Sequence, residues 1–452
     1  MQRKQPRSAR FAASETLCSL YHTRSSVKVL FDKAISRYDL SNKDRNLAMQ
    51  LVYGVLRHRQ NLDRILAILS RTPLRKLDPF IHQVLAVGLY QLFYLQRIPD
   101  SAAVNEAVKA CKQARIPQRL HGFVNGILRQ ATRQRVDLTS AAATDPDGSL
   151  ILNHPQWLVK RWQQEFGIKE TERICMANNS EPVLALRANS SLITRDELRI
   201  LLQKNGISCR PGNYSDEALV LDDFHGQVNT LPGYEEGFFQ VQDQAAQLAT
   251  TLLGPFRNGG SYLDGCAGLG GKTSHLLQFG KKHHLQVHAL EPDRYRLRKL
   301  HENVARVSSG HDVIIHEGSL QELETANLPK FDGILIDAPC SGTGVTGRHP
   351  DIRWNRLPEE LQIYQERQLD ILAHAAILLA PQGVLVYATC SLEPDENRDV
   401  ITRFLKIHQD FTLTDCSDLL PKGARCLLVD KFFSPRPSAM IDGFFAARMT
   451  RR

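Results

Sequence analysis

Long apolar runs and paired cysteines are both missing from this chain of 452 residues. The longest apolar stretches, such as residues 375–380, are far too short to cross a bilayer, so no membrane partner is expected. The nine cysteines are odd in number and include no Cys-x-x-Cys pair, which argues against a disulfide framework or a zinc ribbon. The basic N-terminal residues precede no apolar core, so we expect no secretory signal and a cytoplasmic protein.

The net charge of +9 is distributed unevenly along the chain. Residues 1–150 contain 24 lysines and arginines against 11 aspartates and glutamates, a balance of +13, whereas the remaining residues carry −4. A basic segment beside a slightly acidic one indicates that the N-terminal part binds nucleic acid by electrostatic attraction. A basic surface that contacts only solvent is the alternative interpretation.

The N-terminal part of the chain has helical periodicity and no strand alternation. Val104, Val108 and Cys111 fall on one face of a helix expected over 101–115, with Ser101 placed as its N-cap. Residues 47–69 are also apolar at helical spacing. The pattern predicts an all-α bundle over 1–140, and the polar composition of 137–150 predicts a linker.

The rest of the chain predicts two further domains. Residues 141–237 are expected to form a small α+β domain, with strands at 184–186 and 218–221 and a helix at 195–204. From 238 to 452, short buried strands alternate with amphipathic helices, as in a doubly wound, Rossmann-like α/β sheet. The expected strands there are 261–263, 286–290, 313–316, 333–336 and 384–387. The expected helix stripes are Leu297, Leu300, Val304 and Val307, and then Leu369, Leu372, Ala376 and Leu379.

A glycine-rich segment, residues 265–273, follows the first of these strands. A P-loop would need glycine at position 266, which is Cys266, and a dinucleotide fingerprint is broken after Gly270. An S-adenosylmethionine loop is the third interpretation, and it expects an acidic residue at the end of the next strand. Glu291 is placed there to hold the ribose hydroxyls.

Two cysteines and an aspartate follow the fourth and fifth expected strands. Asp337 and Cys340 come after the fourth, and Cys390 comes after the fifth, at the sheet edge where ligands bind in such folds. Two thiols and a carboxylate would suit methylation of carbon 5 of cytosine. That carbon accepts a methyl group only after a thiolate adds to carbon 6, and the reaction also needs an acid and a base. Two buried structural cysteines are the alternative, and the spacing does not fit a metal site.

The chain resembles RNA cytosine-5 methyltransferases. The motifs that carry the resemblance are Asp337-Ala-Pro-Cys340-Ser-Gly-Thr-Gly344 and Tyr387-Ala-Thr-Cys390-Ser391. Further motifs narrow it to bacterial 16S ribosomal RNA methyltransferases with a fused NusB-like N-terminal domain. They are Arg348-His-Pro-Asp-Ile-Arg-Trp354, Gln242-Asp-Gln-Ala-Ala-Gln-Leu248, Asp442-Gly-Phe-Phe-Ala446, Gly54-Val-Leu-Arg57, Gly88-Leu-Tyr-Gln91, Ile98-Pro-Asp-Ser-Ala-Ala-Val-Asn-Glu106 and Phe123-Val-Asn-Gly-Ile-Leu-Arg129.

The resemblance implies a role for each matching residue. Cys390 would be the nucleophile, Cys340 would assist proton removal and product release, and Asp337 would contact the cytosine edge and the cofactor. S-adenosylmethionine would be held by Cys266, Ala267, Gly268, Leu269, Gly270, Gly271 and Lys272, with Glu291, Ser319 and Asp337. The partner would be 16S ribosomal RNA, as free or early-assembly RNA, and the protein a monomer. The target base must leave its stack to react.

Two positions depart from the family pattern. The family loop usually reads Cys-Ala-Ala-Pro-Gly-Gly-Lys, and here Gly268 and Leu269 replace the alanine and the proline. The third strand is usually followed by Gly-Asp, and here Ser319 replaces the aspartate that accepts from the adenine amino group. Loss of the proline loosens a preset turn, and serine accepts a hydrogen bond without charge. Both departures concern cofactor affinity and leave the chemistry unchanged.

Two other functions compete with an enzyme of ribosomal RNA. The chain could be an RNA-binding or assembly module whose methyltransferase half is weak or inactive, or an enzyme of transfer RNA or DNA. The intact Asp337, Cys340 and Cys390 favour an active enzyme. The fused helical domain favours ribosomal RNA.

Overall fold

The structure is a computed structural model, and it describes residues 7–145, 148–308, 310, 312–322 and 328–452. The chain folds into two compact units. The first comprises residues up to Ser180 together with Thr346–Asn355, and the second comprises Glu181–Val345 and Arg356–Arg452. Residues 1–6 of the predicted first domain and 146–147 of the predicted linker lie outside the described residues.

The N-terminal part of the first unit is all-helical, as predicted. Serine and aspartate side chains accept the first backbone N–H groups of several helices, as Ser8, Ser26, Ser41 and Asp78 do. Apolar faces of the helices up to residue 141 form one buried core around Leu51, Leu85 and Leu128. The helices are α1 Ala9–Ser19, α2 Val27–Ile35, α3 Asn42–Arg57, α4 Arg59–Leu69, α5 Pro79–Tyr94, α6 Asp100–Gln113, α7 Gln118–Arg133, α8 Arg135–Ala141, α9 Gln156–Phe166 and α10 Ile168–Asn179.

Two local predictions in this unit are wrong. Ser101 is not an N-cap, because α6 begins at Asp100, directly after the extended Pro99, and makes no side-chain cap. The helical spacing over 47–69 is present, in two helices that meet at His58, which leaves the helical conformation at φ −112° and ψ 21°. The linker predicted from residue 137 begins later, because α8 continues to Ala141.

A small α+β fold opens the second unit, in agreement with the prediction. Its antiparallel sheet has the order β2-β3-β1-β4, and the helix α11 (Arg195–Lys204) starts with a capping box of Thr194 and Glu197. The strands are β1 Leu184–Ala188, β2 Cys209–Pro211, β3 Ala218–Leu221 and β4 Phe239–Val241. The boundary at residue 237 stays a prediction, and β4, which pairs with β1, lies just beyond it.

The remainder of the second unit contains the predicted α/β sheet. Strands β5 to β9 run parallel in the order β7-β6-β5-β8-β9, and β13 joins β9 antiparallel. The strands are β5 Ser261–Asp264, β6 Gln286–Glu291, β7 Val313–Glu317, β8 Phe331–Asp337, β9 Leu379–Thr389, β10 Phe411–Leu413, β11 Leu428–Val429, β12 Phe432–Phe433 and β13 Phe445–Arg451. The helices are α12 Gln244–Thr251, α13 Gly271–His283, α14 Arg294–Val307, α15 Ile352–Asn355, α16 Glu360–Leu378 and α17 Arg398–Ile407. Of these, α15 lies in the first unit.

All five predicted parallel strands are present, and one helix position is wrong. Leu379 was expected on the apolar stripe of a helix, but α16 ends at Leu378 and Leu379 begins β9, opposite Phe331. Pro381 explains the early end, since the residue before a proline avoids the helical conformation. None of the described helices is long and apolar enough to span a membrane.

Candidate active site

Both predicted cysteines lie at the carboxyl edge of the parallel sheet. Asp337 ends β8 and is paired in register with Ala388 near the end of β9, so the two following loops leave the sheet side by side. The N–H of Gly344 donates to the carbonyl of Cys390 across 2.9 Å and ties the loops together. As a result, the Sγ atoms of Cys340 and Cys390 are 3.3 Å apart. Sheet register thus brings together two residues that are 50 positions apart in sequence.

The two thiols share a hydrogen bond that favours the protonated form of Cys340. The hydrogen bond with Cys390 raises the pKa of the Cys340 thiol well above its ordinary value, and burial raises it further. Cys340 is therefore protonated at neutral pH. The hydrogen bond with Cys390 is the largest cause of this raised pKa. A reaction that moves the Cys390 sulfur out of the contact therefore makes the Cys340 thiol easier to ionise.

Asp337 is held by a buried lysine. Lys272, in the first turn of α13, places its Nζ 2.5 Å from Oδ2 of Asp337, and the same ammonium lies 5.4 Å from the ring centre of Phe444. Burial lowers the pKa of Lys272, but the charge and hydrogen bond of Asp337 outweigh it, so the pKa is raised overall. The buried lysine is therefore charged, beside an aspartate whose side chain is 33% exposed.

The glycine loop keeps its turn without the family's proline. Gly268 and Gly270 adopt positive φ angles of 58° and 87°, a backbone conformation that residues with a side chain rarely adopt. Two side chains fix the turn: Oε2 of Glu291 accepts from the N–H of Gly268 at 2.9 Å, and Nδ2 of Asn303 donates to the carbonyl of Leu269 at 2.8 Å. Hydrogen bonds thus supply the constraint that the missing proline would have supplied.

The residues present fit S-adenosylmethionine. A Cβ placed on Gly268 would meet nothing within 4 Å, so the loop borders open space. The N-terminus of α13 follows the loop and favours an anionic group there. Glu291 ends β6, and although it accepts from Gly268 and from Asp293 (2.8 Å), each carboxylate oxygen keeps a lone pair for a hydroxyl. Ser319 lies two residues beyond β7, at the same edge of the sheet.

Three parts of the chain match known protein families. The family described as 16S rRNA methyltransferase RsmB/F matches residues 250–450, the NusB family matches 7–133, and the ferredoxin-like domain of RsmF/B-like methyltransferases matches 154–228. Ribosomal RNA small subunit methyltransferase B of Photorhabdus laumondii is 38% identical, with 92% of each chain covered. The protein of that name from Vibrio cholerae is 37% identical, with 91% of this chain and 90% of its own covered.

The chain belongs to the ribosomal RNA small subunit methyltransferase B family. The fold agrees, since the crystal structure of PH0851 superposes with a TM-score of 0.75 at 22% identity, over 99% of this chain and 100% of that one. The resemblance stated from the motifs is confirmed, as is the three-part fold class. The roles of the individual site residues stay predictions.

Two buried carboxylates of this methyltransferase were not predicted from the sequence. Asp264 ends β5, accepts from the Thr273 hydroxyl at 2.7 Å, and burial raises its pKa to about 6. Glu396 lies beneath the cysteine loops and accepts from Ser341 and Ser391. The signal for Glu396 was an acidic residue soon after Cys390, but its partner Ser341 is 55 positions away. Among the described residues, no cluster of His, Cys, Asp and Glu could hold a metal ion.

The spacing of the thiols predicts that mild oxidation will join them. A disulfide needs the sulfurs to approach to about 2.05 Å, a small movement from 3.3 Å. Treatment with diamide should form a Cys340–Cys390 disulfide, visible by peptide mass mapping and reversed by dithiothreitol. The Cys426→Ser variant, which lacks an exposed thiol, should behave identically. Cross-linking that involves other cysteines but not this pair would contradict the observed geometry.

Proposed function

We propose that this enzyme transfers the methyl group of S-adenosylmethionine to carbon 5 of a cytosine in 16S ribosomal RNA through a covalent intermediate on Cys390. Membership of the methyltransferase B family supports the reaction and the RNA. The observation that carries the residue assignment is the pair of thiols, 3.3 Å apart beside Asp337 and the glycine loop. The two thiols can reach adjacent atoms of one base, as the two-step chemistry requires.

Residues of the glycine loop and the neighbouring strand ends would hold the cofactor. Residues 266–272 and the N-terminus of α13 would bind its methionine end, Glu291 its ribose hydroxyls and Ser319 its adenine. S-adenosylmethionine, when bound, supplies an activated methyl group. The Glu291 carboxylate has a second task, since it also holds the Gly268 N–H and so couples ribose binding to the shape of the loop.

The chain's own residues then perform the chemistry on the base. The Cys390 sulfur forms a bond to carbon 6, which gives carbon 5 the electron pair that takes up the methyl group. Asp337, fixed by Lys272, contacts the cytosine edge, where its carboxylate can accept a hydrogen bond from the exocyclic amino group and so orient the ring. Cys340, once the Cys390 sulfur is bonded to carbon 6 and the Cys340 thiol has released its own proton to water, takes the proton from carbon 5 as a thiolate. The double bond between carbons 5 and 6 re-forms, and Cys390 leaves as thiolate.

The N-terminal helical domain would bind the RNA by electrostatic attraction. Residues 1–150 carry a net charge of +13, and a charge of this size attracts the phosphate backbone. The target cytosine would leave its stack to enter the pocket. We further propose that the enzyme acts as a monomer in the cytoplasm, on free or early-assembly small-subunit RNA.

The test is incubation with tritiated S-adenosylmethionine and unmodified 16S RNA, followed by digestion to nucleosides. We expect label in 5-methylcytidine with the wild-type protein and none with Cys390→Ala. Binding of S-adenosylmethionine, measured by calorimetry, should be unchanged in the variant. Absence of label with both free RNA and small subunits would favour an RNA-binding or assembly module, and label on transfer RNA or DNA would overturn the substrate.

A further inference from the structure

A fully buried carboxylate connects the two cysteine loops. Glu396, which lies in the turn between β9 and α17, has no exposed surface. Its Oε1 accepts from the Ser341 N–H at 2.8 Å and from Gln368 Nε2 at 3.1 Å. Its Oε2 accepts from the hydroxyls of Ser341 and Ser391, the latter at 2.6 Å. Because Ser341 follows Cys340 and Ser391 follows Cys390, one side chain holds the neighbours of both thiols.

The next residue extends this connection to the other side of Cys390. Asn397 accepts from the Thr389 hydroxyl at 2.6 Å, and its Nδ2 donates to the Ser391 carbonyl at 2.9 Å. The backbone of Glu396 is itself anchored, since the Tyr387 hydroxyl donates to its carbonyl at 2.6 Å. Both residues that flank Cys390 are therefore tied to the Glu396–Asn397 corner.

A carboxylate is the side chain that suits this place. It accepts through both oxygens and donates nothing, so it satisfies the four donors that converge there. Burial raises the pKa of Glu396 even though these donors favour the charged form, so the charge is held at a cost in desolvation.

We propose that Glu396, supported by Asn397, is a positioning residue of the methyl transfer reaction that fixes the separation of the two thiols. The inference rests on the proposed function, in which Cys390 and Cys340 act in turn on adjacent carbon atoms of one base. A misplacement of about 1 Å at such a site costs roughly 100-fold in rate. Glu396 touches neither thiol, and its effect passes through Ser341 and Ser391.

The test compares two variants that separate length from charge. Glu396→Gln keeps the span between the loops, because the serine hydroxyls can rotate to accept from the amide, whereas Glu396→Asp is too short to reach both loops. We expect kcat to fall in the order wild type, Glu396→Gln, Glu396→Asp, with the aspartate variant about 10- to 100-fold below wild type. The KM for RNA and the Kd for S-adenosylmethionine should stay within about twofold, since binding residues are untouched.

The rate of the diamide cross-link gives a second readout that needs no methyl transfer. In Glu396→Asp, which keeps the negative charge that raises the pKa of Cys340, this rate should fall below the wild-type rate, because the separation of the thiols is then what changes. Asp332→Asn is the matched control: that carboxylate also bridges two segments, accepting from Ser261 and Arg257 at 2.9 Å each, but at the start of β8, the opposite edge of the sheet. Its variant should lose stability without changing kcat or the cross-link rate.

Two results would overturn the proposal. One is a folded Glu396→Asp variant with wild-type kcat and cross-link rate. The other is a loss of activity in both Glu396 variants that is no larger than the loss in Asp332→Asn at an equal decrease in thermal stability. If the wild-type protein methylated no RNA but the cross-link rate still fell in Glu396→Asp, the proposed function would fail and the positioning of the thiols by Glu396 would be supported.

Discussion

Replacing Cys340 with alanine should trap the enzyme on its RNA as a covalent adduct, and replacing Cys390 should not. In the Cys340→Ala variant the Cys390 sulfur can still add to carbon 6 and methylation can follow. The residue that removes the carbon-5 proton is then missing, so the sulfur cannot leave. Loss of a positioned base slows a step by roughly 10²- to 10⁴-fold, and turnover should fall by that factor while adduct accumulates.

The adduct can be measured as a band of reduced mobility in a denaturing gel with end-labelled 16S RNA. Cys426→Ala is the control for thiol removal, since Cys426 is exposed and remote from β8 and β9 in sequence. It should give neither adduct nor loss of activity. An adduct formed by Cys390→Ala and not by Cys340→Ala would exchange the roles of the two thiols.

The sheet and its cysteines could be predicted because their signals are local. Each parallel strand is a short apolar run in the sequence. Asp337 and Cys340 follow the end of one such run, and Cys390 follows the end of the next, so all three are predicted at the carboxyl edge of the sheet. Strand ends differed from prediction by a few residues. The largest difference is at the start of β9. This strand begins at Leu379, a position that the apolar spacing of the preceding helix had assigned to α16.

Contacts between distant segments could not be predicted. Glu396 reads as an ordinary acidic residue in a turn, and only the fold shows that it meets Ser341. The loop departures give a second example: without its proline the turn looked less constrained, but Glu291 and Asn303, 23 and 34 positions away, supply the missing constraint. In each case the partner is fixed by sheet register or helix packing, which the pattern of one segment does not contain.

The motif Arg348-His-Pro-Asp-Ile-Arg-Trp354 lies in a different unit from the one that its position in the sequence suggests. It lies between two methyltransferase strands in sequence, but Thr346–Asn355 is part of the first unit. Arg353 is completely buried there and donates to four neutral oxygens, with distances from 2.6 to 3.1 Å. They belong to Asn153, Asn178, Asn179 and Thr346. The Trp354 indole adds a bond to the Leu56 carbonyl at 2.8 Å.

Arg353→Met should therefore destabilise the first unit strongly. The variant keeps the aliphatic part of the side chain but leaves the four acceptors without their donor, which should cost on the order of 3 kcal/mol. For a unit of this size, that corresponds to a decrease in melting temperature of roughly 6–12 °C. Trp157, Trp162 and Trp354 are the chain's three tryptophans and all lie in the first unit, so their fluorescence reports its unfolding.

Arg129→Met is the matched control, since Arg129 is exposed on α7 and bonds only the nearby Asn125 among its described partners. It should change the melting temperature little, because exposed side chains contribute little to stability. A shift in Arg353→Met no larger than in this control would show that the buried guanidinium is replaceable by apolar packing. A large shift would establish that this segment of the methyltransferase sequence is a structural element of the helical unit, and that its motif reflects folding of that unit as much as catalysis.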